Sequence, residues 1–192
     1  PLLYNFQEWR PDLFHVNTIE PLDGSMSGRS PAFRKGNVLV SVRDLDMIGV
    51  VDMEKQAFVW TLTGMWRRQH QPVTLPNGRM LVFDNHGYRH RSSVFEFDPF
   101  SQEIFWEYGS APQEKFFTDG NGSCQRLPNG NTLIIESESG RAFEVTPDKM
   151  IVWEFVNPDR AALHPERIAT LFDVIRLKNK IRLPWLASSE AK

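Results

Sequence analysis

The sequence predicts an all-β protein built from repeated four-stranded antiparallel sheets, as in a β-propeller, and two observations lead to this prediction. First, segment 68–108 contains four short apolar runs bounded by Gly, Asn, Pro and Asp, which is typical of strands joined by tight turns. Second, the four runs recur in segment 122–156 with the same Leu-Pro-Asn-Gly turn, and more loosely in segment 15–62. Repeats of about 40 to 50 residues with four strands each are typical of propeller blades.

Three tryptophans mark the period of the repeat. Trp60, Trp106 and Trp153 fall in the fourth run of successive repeats, at an almost constant spacing. The simplest role for a large aromatic side chain at this place is packing between adjacent blades. We therefore predict blades at approximately 15–62, 69–108 and 122–156, all within one partial propeller domain that covers residues 1–192.

The ends of the chain predict fragments of further blades. Residues 2–9 are expected to form a strand that ends in Trp9, the outer strand of a preceding blade. In the C-terminal extension 159–192, residues 159–167 are expected to form a helical turn, and the apolar run 169–177 to supply the first strand of a further blade. Because propellers contain about four to eight blades, we expect a missing N-terminal half or a second chain to close the ring.

Composition favours a soluble globular protein. The chain has 192 residues, is 41% hydrophobic and carries a formal net charge of −2, which gives no bias towards nucleic acid or anionic membranes. It contains neither an apolar run long enough to cross a bilayer nor a basic-then-apolar start. Cys124 is the single cysteine, so no intrachain disulfide forms. Segment 23–35, rich in Gly and Ser, predicts a long surface loop.

Polar residues converge at one rim of the predicted channel. In antiparallel blades the start of strand one, the end of strand two and the loop to strand three lie at the same end, opposite the Pro-Asn-Gly turns. Four of the five histidines and several arginines fall at this rim. The rim residues are His15, Asn17, Arg43, Asp44, Gln69, His70, Asp84, Asn85, His86, Tyr88, Arg89, His90, Arg91, Gly122, Ser123, Cys124, Glu136, Ser137 and Arg141.

Each of these residues also has a structural explanation. A histidine at a strand start is commonly a hydrogen-bonded structural residue, and Asp-Asn at a strand end is common in turns. His15 and His70 are the stronger candidates, because they occur at near-equivalent points of adjacent repeats. Three histidines and Asp84 would suit a metal ion, but no His-x-His or Cys-x-x-Cys pair supports one, and we expect neither a metal nor another cofactor.

At these residues the chain resembles the arylsulfotransferase family. The matching motifs are His15-Val-Asn-Thr-Ile, Ser41-Val-Arg-Asp, Gln69-His70 before Leu75-Pro-Asn-Gly, and Val82-Phe-Asp-Asn. The resemblance covers roughly residues 9–158 and continues into Phe172-Asp-Val-Ile-Arg. It implies that the chain is the C-terminal half of a six-bladed propeller, located in the periplasm or outside the cell. The implied activity is the transfer of a sulfuryl group between phenols through a sulfated histidine, without a nucleotide cofactor.

The resemblance also implies roles for individual residues. His70, His15 and Arg91 fall on catalytic or anion-binding positions. From their place at the predicted rim, the expected substrate-binding residues are Asn17, Arg43, Asp84, Asn85 and Ser123. A neutral imidazole can attack sulfur, while arginine and protonated histidine offset charge on the non-bridging oxygens.

The third repeat departs from the family pattern. It reads Gly122-Ser-Cys-Gln where active members carry a further rim histidine. Two hypotheses therefore stand: an arylsulfotransferase-like enzyme that acts on phenolic sulfates, and a non-catalytic propeller that binds an anionic or aromatic ligand, or a protein partner, at the same rim.

Overall fold

The computed structural model describes residues 14–87 and 91–177, and strands make up most of its regular structure. The strands are β1 (Val16–Pro21), β2 (Val38–Val42), β3 (Met47–Asp52), β4 (Ala57–Thr63), β5 (His70–Thr74), β6 (Met80–Asp84), β7 (Ser93–Phe97), β8 (Ile104–Tyr108), β9 (Ser123–Arg126), β10 (Thr132–Glu136), β11 (Arg141–Val145), β12 (Ile151–Val156), β13 (Arg160–Ala161) and β14 (His164–Ile168). Short 3-10 helices span Pro31–Phe33, Arg43–Leu45, Pro112–Glu114 and Ser137–Ser139. Within these ranges, no helix is long and apolar enough to cross a membrane.

The strands form three four-stranded antiparallel sheets with sequential strand order. The first sheet contains β1 to β4, the second β5 to β8 and the third β9 to β12, and β13 pairs with β14 in a separate hairpin. The predicted all-β fold is therefore confirmed. Trp60, Trp106 and Trp153 lie in the fourth strands of the three sheets. The strand predicted at residues 2–9 lies outside the described residues.

The sheets pack face to face, as propeller blades do. Leu39, Ile48 and Val50 of the first sheet share one buried cluster with four side chains of the second, Met80, Val82, Phe95 and Phe97. A further cluster joins Leu81, Phe83 and Val94 of the second sheet to Cys124, Ile134 and Phe143 of the third. Trp60 packs against the former cluster and Trp106 against the latter. The alternating apolar residues of each sheet are thus buried between neighbouring sheets.

The first strands of the three sheets lie side by side. The backbone N–H of Gln71 in β5 donates to Thr18 Oγ1 in β1 at 3.0 Å. The side chain of Gln71 then accepts from the backbone N–H of Cys124 in β9 at 2.7 Å. These two bonds hold the inner edges of the sheets together.

Segment 23–35 differs from the predicted surface loop, because two of its apolar side chains are buried. Met26 and Phe33 belong to the cluster between the first and second sheets. The Phe33 ring makes an edge-on contact with Trp60, at 5.1 Å between ring centroids. Burial of these side chains stabilises the loop against the sheets by an amount on the order of 2 kcal/mol for each residue.

The helical turn predicted at residues 159–167 is wrong. Residues 160–168 form the β13–β14 hairpin, in which Ala161 pairs with His164. Pro165 explains the difference, because a proline inside a helix removes a backbone hydrogen bond and its ring clashes with the preceding turn.

Segment 169–177 lies along β9 without forming ladder hydrogen bonds. The backbone N–H of Arg176 donates to the Gln125 side chain at 3.0 Å, and Leu171 and Val174 pack on the apolar face of the third sheet. Arg176 pairs with Glu144 at 2.7 Å, 5.6 Å from the centre of the Trp153 ring. The pair formed by Arg126 and Glu96 beside Trp106, between the second and third sheets, has the same arrangement. That this segment begins a further blade remains a prediction.

Candidate functional site

The polar rim and the Asn-Gly turns lie at opposite ends of the sheets. In the second sheet His70 pairs with Phe83 at one end, and Thr74 pairs with Met80 at the other. The turn that contains Asn77 and Gly78 follows Thr74. In the third sheet Ser123 pairs with Ile135 at the rim end. The candidate residues at strand-one starts and strand-two ends therefore share one end of the molecule.

His70 occupies the most constrained place at this rim. Its side chain lies at the start of β5 and the residue is only 9% exposed. The register shifts by one residue between His70 and Val73, and Gln71 has a φ of 45°. A bulge of this kind bends a strand and re-aims its side chains. Here it occurs directly beside the imidazole.

The hydrogen bonds of His70 determine its tautomer. Nδ1 lies 2.7 Å from Oδ1 of Asn85 and 3.1 Å from the carbonyl oxygen of Arg68. The orientation of the Asn85 amide follows from its nitrogen, which donates to the carbonyl oxygens of Thr118 at 3.0 Å and Asn121 at 2.6 Å. Because both partners of Nδ1 are acceptors, Nδ1 carries the proton and Nε2 carries the lone pair.

The surroundings of His70 keep its imidazole neutral. Burial lowers the pKa of His70 below its ordinary value, and it outweighs the hydrogen bonds to Asn85 and Arg68 that favour the charged form. Nearby positive charge on Arg43 and His15 lowers this pKa further. The ring is therefore an uncharged base with a lone pair on Nε2 at neutral pH.

His15 and Arg43 lie close enough to His70 to affect its charge. The carbonyl oxygen of His15 accepts from the backbone N–H of Arg43 at 3.1 Å. The Arg43 guanidinium forms two hydrogen bonds with the Asp44 carboxylate, at 2.9 and 3.3 Å. His15 has a φ of 44°, a strained conformation for a residue other than glycine. The guanidinium of Arg43 and the residue His15 thus lie beside the imidazole of His70.

His15 and His70 are not equivalent by register. Ser41 has the same position in β2 as Phe83 has in β6. Phe83 pairs with His70, whereas Ser41 pairs with Thr18. His15 precedes β1 altogether. The two histidines therefore approach the rim from different backbone positions, which the sequence spacing did not show.

Asn17 and Asp84 make hydrogen bonds within the rim. The Asn17 side-chain nitrogen donates to the carbonyl oxygen of Gln69 at 2.8 Å, while its buried Oδ1 has no hydrogen-bond partner in the described part of the chain. Asp84 is 4% exposed and accepts from the backbone N–H of Arg67 at 2.9 Å. Burial raises the pKa of Asp84 to about 7. Both side chains hold the backbone that precedes His70.

Arg91 and Ser123 are directed away from His70. Arg91 donates to the carbonyl oxygen of Ser110, which follows β8 at the outer side of the second sheet, at 3.4 Å. The Ser123 hydroxyl donates to the Asp173 carboxylate at 2.6 Å. Across residues 14–87 and 91–177, no hydrogen bond joins either residue to His70. Tyr88, Arg89 and His90 lie outside the described residues.

The structure adds rim residues that the sequence did not mark as a group. His86 Nε2 lies 2.6 Å from the Asp119 carboxylate, and Arg68 lies 3.6 Å from the same group. Phe117 packs edge-on against the His86 ring, at 5.7 Å between centroids. The distance along the chain between these partners explains why no local motif identifies them. The described residues contain no group of three or more His, Cys, Asp and Glu side chains placed to hold a metal ion.

The fold and the rim together define a propeller-type protein with a buried histidine at one end of its inner strands. The chain belongs to the arylsulfotransferase family, because the family model described as Arylsulfotransferase (ASST) matches residues 5–158. The resemblance drawn from the rim motifs is therefore confirmed at the level of the family. No curated protein matches the chain.

The chain is similar to several solved structures at low sequence identity. The WD40 β-propeller domain of Doa1 is 12% identical with a TM-score of 0.51, over 74% of this chain and 41% of that chain. Virginiamycin B lyase from Staphylococcus aureus is 16% identical with a TM-score of 0.48, over 79% and 44%. A protein of unknown function from Bacteroides caccae is 13% identical with a TM-score of 0.48, over 76% and 47%. The chain thus spans less than half of each of these structures.

Proposed function

We propose that this chain carries the sulfuryl-transfer site of an arylsulfotransferase and that His70 is the group that accepts the sulfuryl group from a phenolic sulfate. The observation that carries the proposal is the pair of acceptors on Nδ1, at 2.7 and 3.1 Å, which leaves the lone pair on Nε2. Burial supports it, because the lowered pKa of His70 keeps the nucleophile uncharged at neutral pH.

The reaction consists of two balanced displacements at sulfur. In the first, the Nε2 lone pair attacks sulfur, the bond from sulfur to the aryl oxygen breaks, and the phenolate leaves with that electron pair and takes a proton from solvent. In the second, the oxygen of an acceptor phenol attacks sulfur as its proton passes to solvent, and the N–S bond breaks. The electron pair of that bond returns to Nε2, so His70 is regenerated.

Positive charge beside His70 supports binding of the sulfate group. His15 and Arg43 lie near the imidazole of His70, and the N–H groups of a guanidinium and of an imidazole can both donate to an anion at this place. Arg91 belongs to the same rim, although its guanidinium bonds to Ser110 here. We therefore propose His15 and Arg43 as the principal sulfate-binding residues, with Arg91 and Asn17 as further candidates. Asp84 and Asn85 serve this site through the backbone and the imidazole that they hold.

A second candidate function is ligand binding without transfer, and one observation favours it. The rim of the third sheet carries Ser123 rather than a histidine, and its hydroxyl is engaged by Asp173 at 2.6 Å. Without a second imidazole at that place, the rim has fewer groups to move a proton to or from a phenol. A rim without this second imidazole could still bind an aryl sulfate through His15, Arg43 and His70.

The test compares the full chain with its His70→Asn variant. A chromogenic aryl sulfate and a phenol acceptor report transfer, and intact-mass measurement after rapid mixing with the donor reports a sulfuryl adduct. We expect the adduct to be absent from His70→Asn. The rate of transfer should fall by about a thousandfold or more, as it does when the nucleophile of a catalytic triad is removed. His164→Asn is the matched control, because His164 is exposed on β14.

The two functions predict different results. Transfer by the full chain that disappears in folded His70→Asn supports the enzyme. Calorimetric binding of an aryl sulfate that depends on His70, without adduct or transfer, supports the binding protein. A folded His70→Asn variant with undiminished transfer contradicts the proposed role of His70.

A further inference from the structure

We infer that Asn85 and Glu138 are positioning residues for His70, because together they connect the imidazole to the loop that precedes the third sheet. The assignment of a kinetic effect rests on the proposed function of His70. The positioning itself can be measured without any turnover. The loop is defined here as residues 116–122, and it is called the 116–122 loop below.

Asn85 is a fully engaged buried amide. It is 0% exposed. Its oxygen accepts from His70 Nδ1 at 2.7 Å, and its nitrogen donates to the carbonyl oxygens of Thr118 and Asn121 at 3.0 and 2.6 Å. With three bonds in place, rotation of this amide would break them and place an N–H opposite the Nδ1 proton. Asn85, together with the carbonyl oxygen of Arg68, therefore fixes which ring nitrogen of His70 is protonated and where the ring lies.

The 116–122 loop is itself fixed from two sides. The backbone N–H groups of Asp119 and Gly120 donate to the two carboxylate oxygens of Glu138, at 2.9 and 3.0 Å. On the other side, the backbone N–H of Thr118 donates to Ser92 Oγ at 3.0 Å. Glu138 lies in the 3-10 helix that follows β10, so the third sheet holds the loop that holds Asn85.

Through this connection the third sheet contributes to the position of His70, although its own rim has no histidine. The two carbonyl oxygens that orient Asn85 come from the loop between the second and third sheets. A displacement of about 1 Å in a reacting group is enough to lower a rate by about a hundredfold. A loop anchored on Glu138 is therefore sufficient to control the position of Nε2.

The experiment measures the tautomer of His70 directly in the uniformly ¹⁵N-labelled full chain, from the two ring nitrogen shifts at a pH where the ring is neutral. The wild-type chain is expected to have the proton on Nδ1. Asn85→Leu leaves Nδ1 only the longer contact with the carbonyl oxygen of Arg68, at 3.1 Å, and is expected to move the population towards the Nε2-protonated form. Asn85→Asp is expected to retain the Nδ1 proton, because a carboxyl oxygen still accepts it. The matched control is Asn129→Leu, at the Asn-Gly end of the third sheet.

Glu138→Ala tests the connection from outside the buried network and remains informative if Asn85→Leu fails to fold. It is expected to weaken hydrogen-exchange protection of the amides of residues 118–121 and to lower transfer by about tenfold, while exposed Glu103→Ala changes neither.

Three outcomes would overturn the inference: an Nε2-protonated His70 in the wild-type chain, an unchanged tautomer in folded Asn85→Leu, or unchanged loop protection in Glu138→Ala. If the wild-type chain transfers no sulfuryl group, the tautomer and exchange measurements still decide the positioning, so the two proposals fail separately.

Discussion

The starts of β5 and β9 occupy the same place in successive repeats but have different structures. At β5 the register shifts after His70, and the imidazole is held by a buried asparagine. At β9 the register is regular up to Ser123, whose hydroxyl bonds to Asp173 of the C-terminal segment. The same sheet architecture therefore supports a candidate nucleophile in one repeat and a structural contact in the next.

The comparison shows that a bulge or a short loop at the rim can determine whether a repeat presents a functional side chain there. The bulge after His70 adds one residue to the inner strand without altering its pairing near the Leu-Pro-Asn-Gly turn. The third sheet has a glycine, Gly122, directly before β9 in place of a bulge. The backbone of this glycine packs closely against the ring of Phe83. Changes at the rim thus leave the packed interface between sheets intact, which is how loops and strand ends of a rigid scaffold commonly acquire function.

The largest expected effect on stability comes from a carboxyl group at the end of β6, which differs from the one at the end of β10. Asp84 faces Ser93 across the second sheet, whereas Glu136 faces Arg141 across the third. Burial raises the pKa of Asp84 to about 7, so the folded state holds a proton that the unfolded chain loses near pH 4. Asp84 therefore lowers the free energy of unfolding as pH rises from about 4 to 7, by up to about 1.4 kcal/mol per pH unit.

Asp84→Asn should remove this component of the pH dependence. Urea unfolding of the wild-type chain and the variant at several pH values measures it. The lowered pKa of His70 acts with the opposite sign, because stability from that group falls as pH decreases below 6.5, and it cancels in the difference between the two proteins. Exposed Glu103→Gln controls for the loss of one negative charge. Parallel pH profiles for the wild-type chain and Asp84→Asn would contradict the assignment.

A smaller effect is expected at the close approach before β9. A Cβ atom at Gly122 would lie 2.5 Å from two ring atoms of Phe83, and its φ of 149° disfavours other residues. Gly122→Ala should therefore lower the free energy of unfolding by about 3 kcal/mol, which combines overpacking and backbone strain.

Gly64→Ala separates the two contributions to this effect. Gly64 also has a positive φ, of 91°, but a Cβ atom there would meet no atom within 4 Å. We expect a loss of about 1 kcal/mol from backbone strain alone. Equal losses in the two variants, measured by urea unfolding, would show that Phe83 does not restrict Gly122.

The fold was predictable because its signals are local and repeated. The Leu-Pro-Asn-Gly turns and the fourth-strand tryptophans defined four-stranded sheets, and the rim motifs identified the family. The details of the site were not predictable, since Asn85 bonds to backbone carbonyl oxygens 33 and 36 residues away, which leave no side-chain pattern. The bulges likewise changed the alignment of His15 with His70. Residues 160–168 form a hairpin where short-range pattern suggested a helical turn.

The smallest expected effect tests the comparison at Ser123 itself. If this residue only anchors the C-terminal segment, Ser123→Ala should remove the bond to Asp173 and lower the free energy of unfolding by about 1 kcal/mol. Hydrogen exchange should then increase in segment 169–177, while the ring nitrogen shifts of His70 and the calorimetric affinity for an aryl sulfate stay unchanged. Ser101→Ala, in the exposed turn between β7 and β8, is the matched control. A clear loss of aryl sulfate affinity in Ser123→Ala, with normal protection of segment 169–177, would instead support the substrate-binding role predicted for Ser123 from its place at the rim. The difference between the second and third repeats would then be one of binding chemistry rather than of structural support.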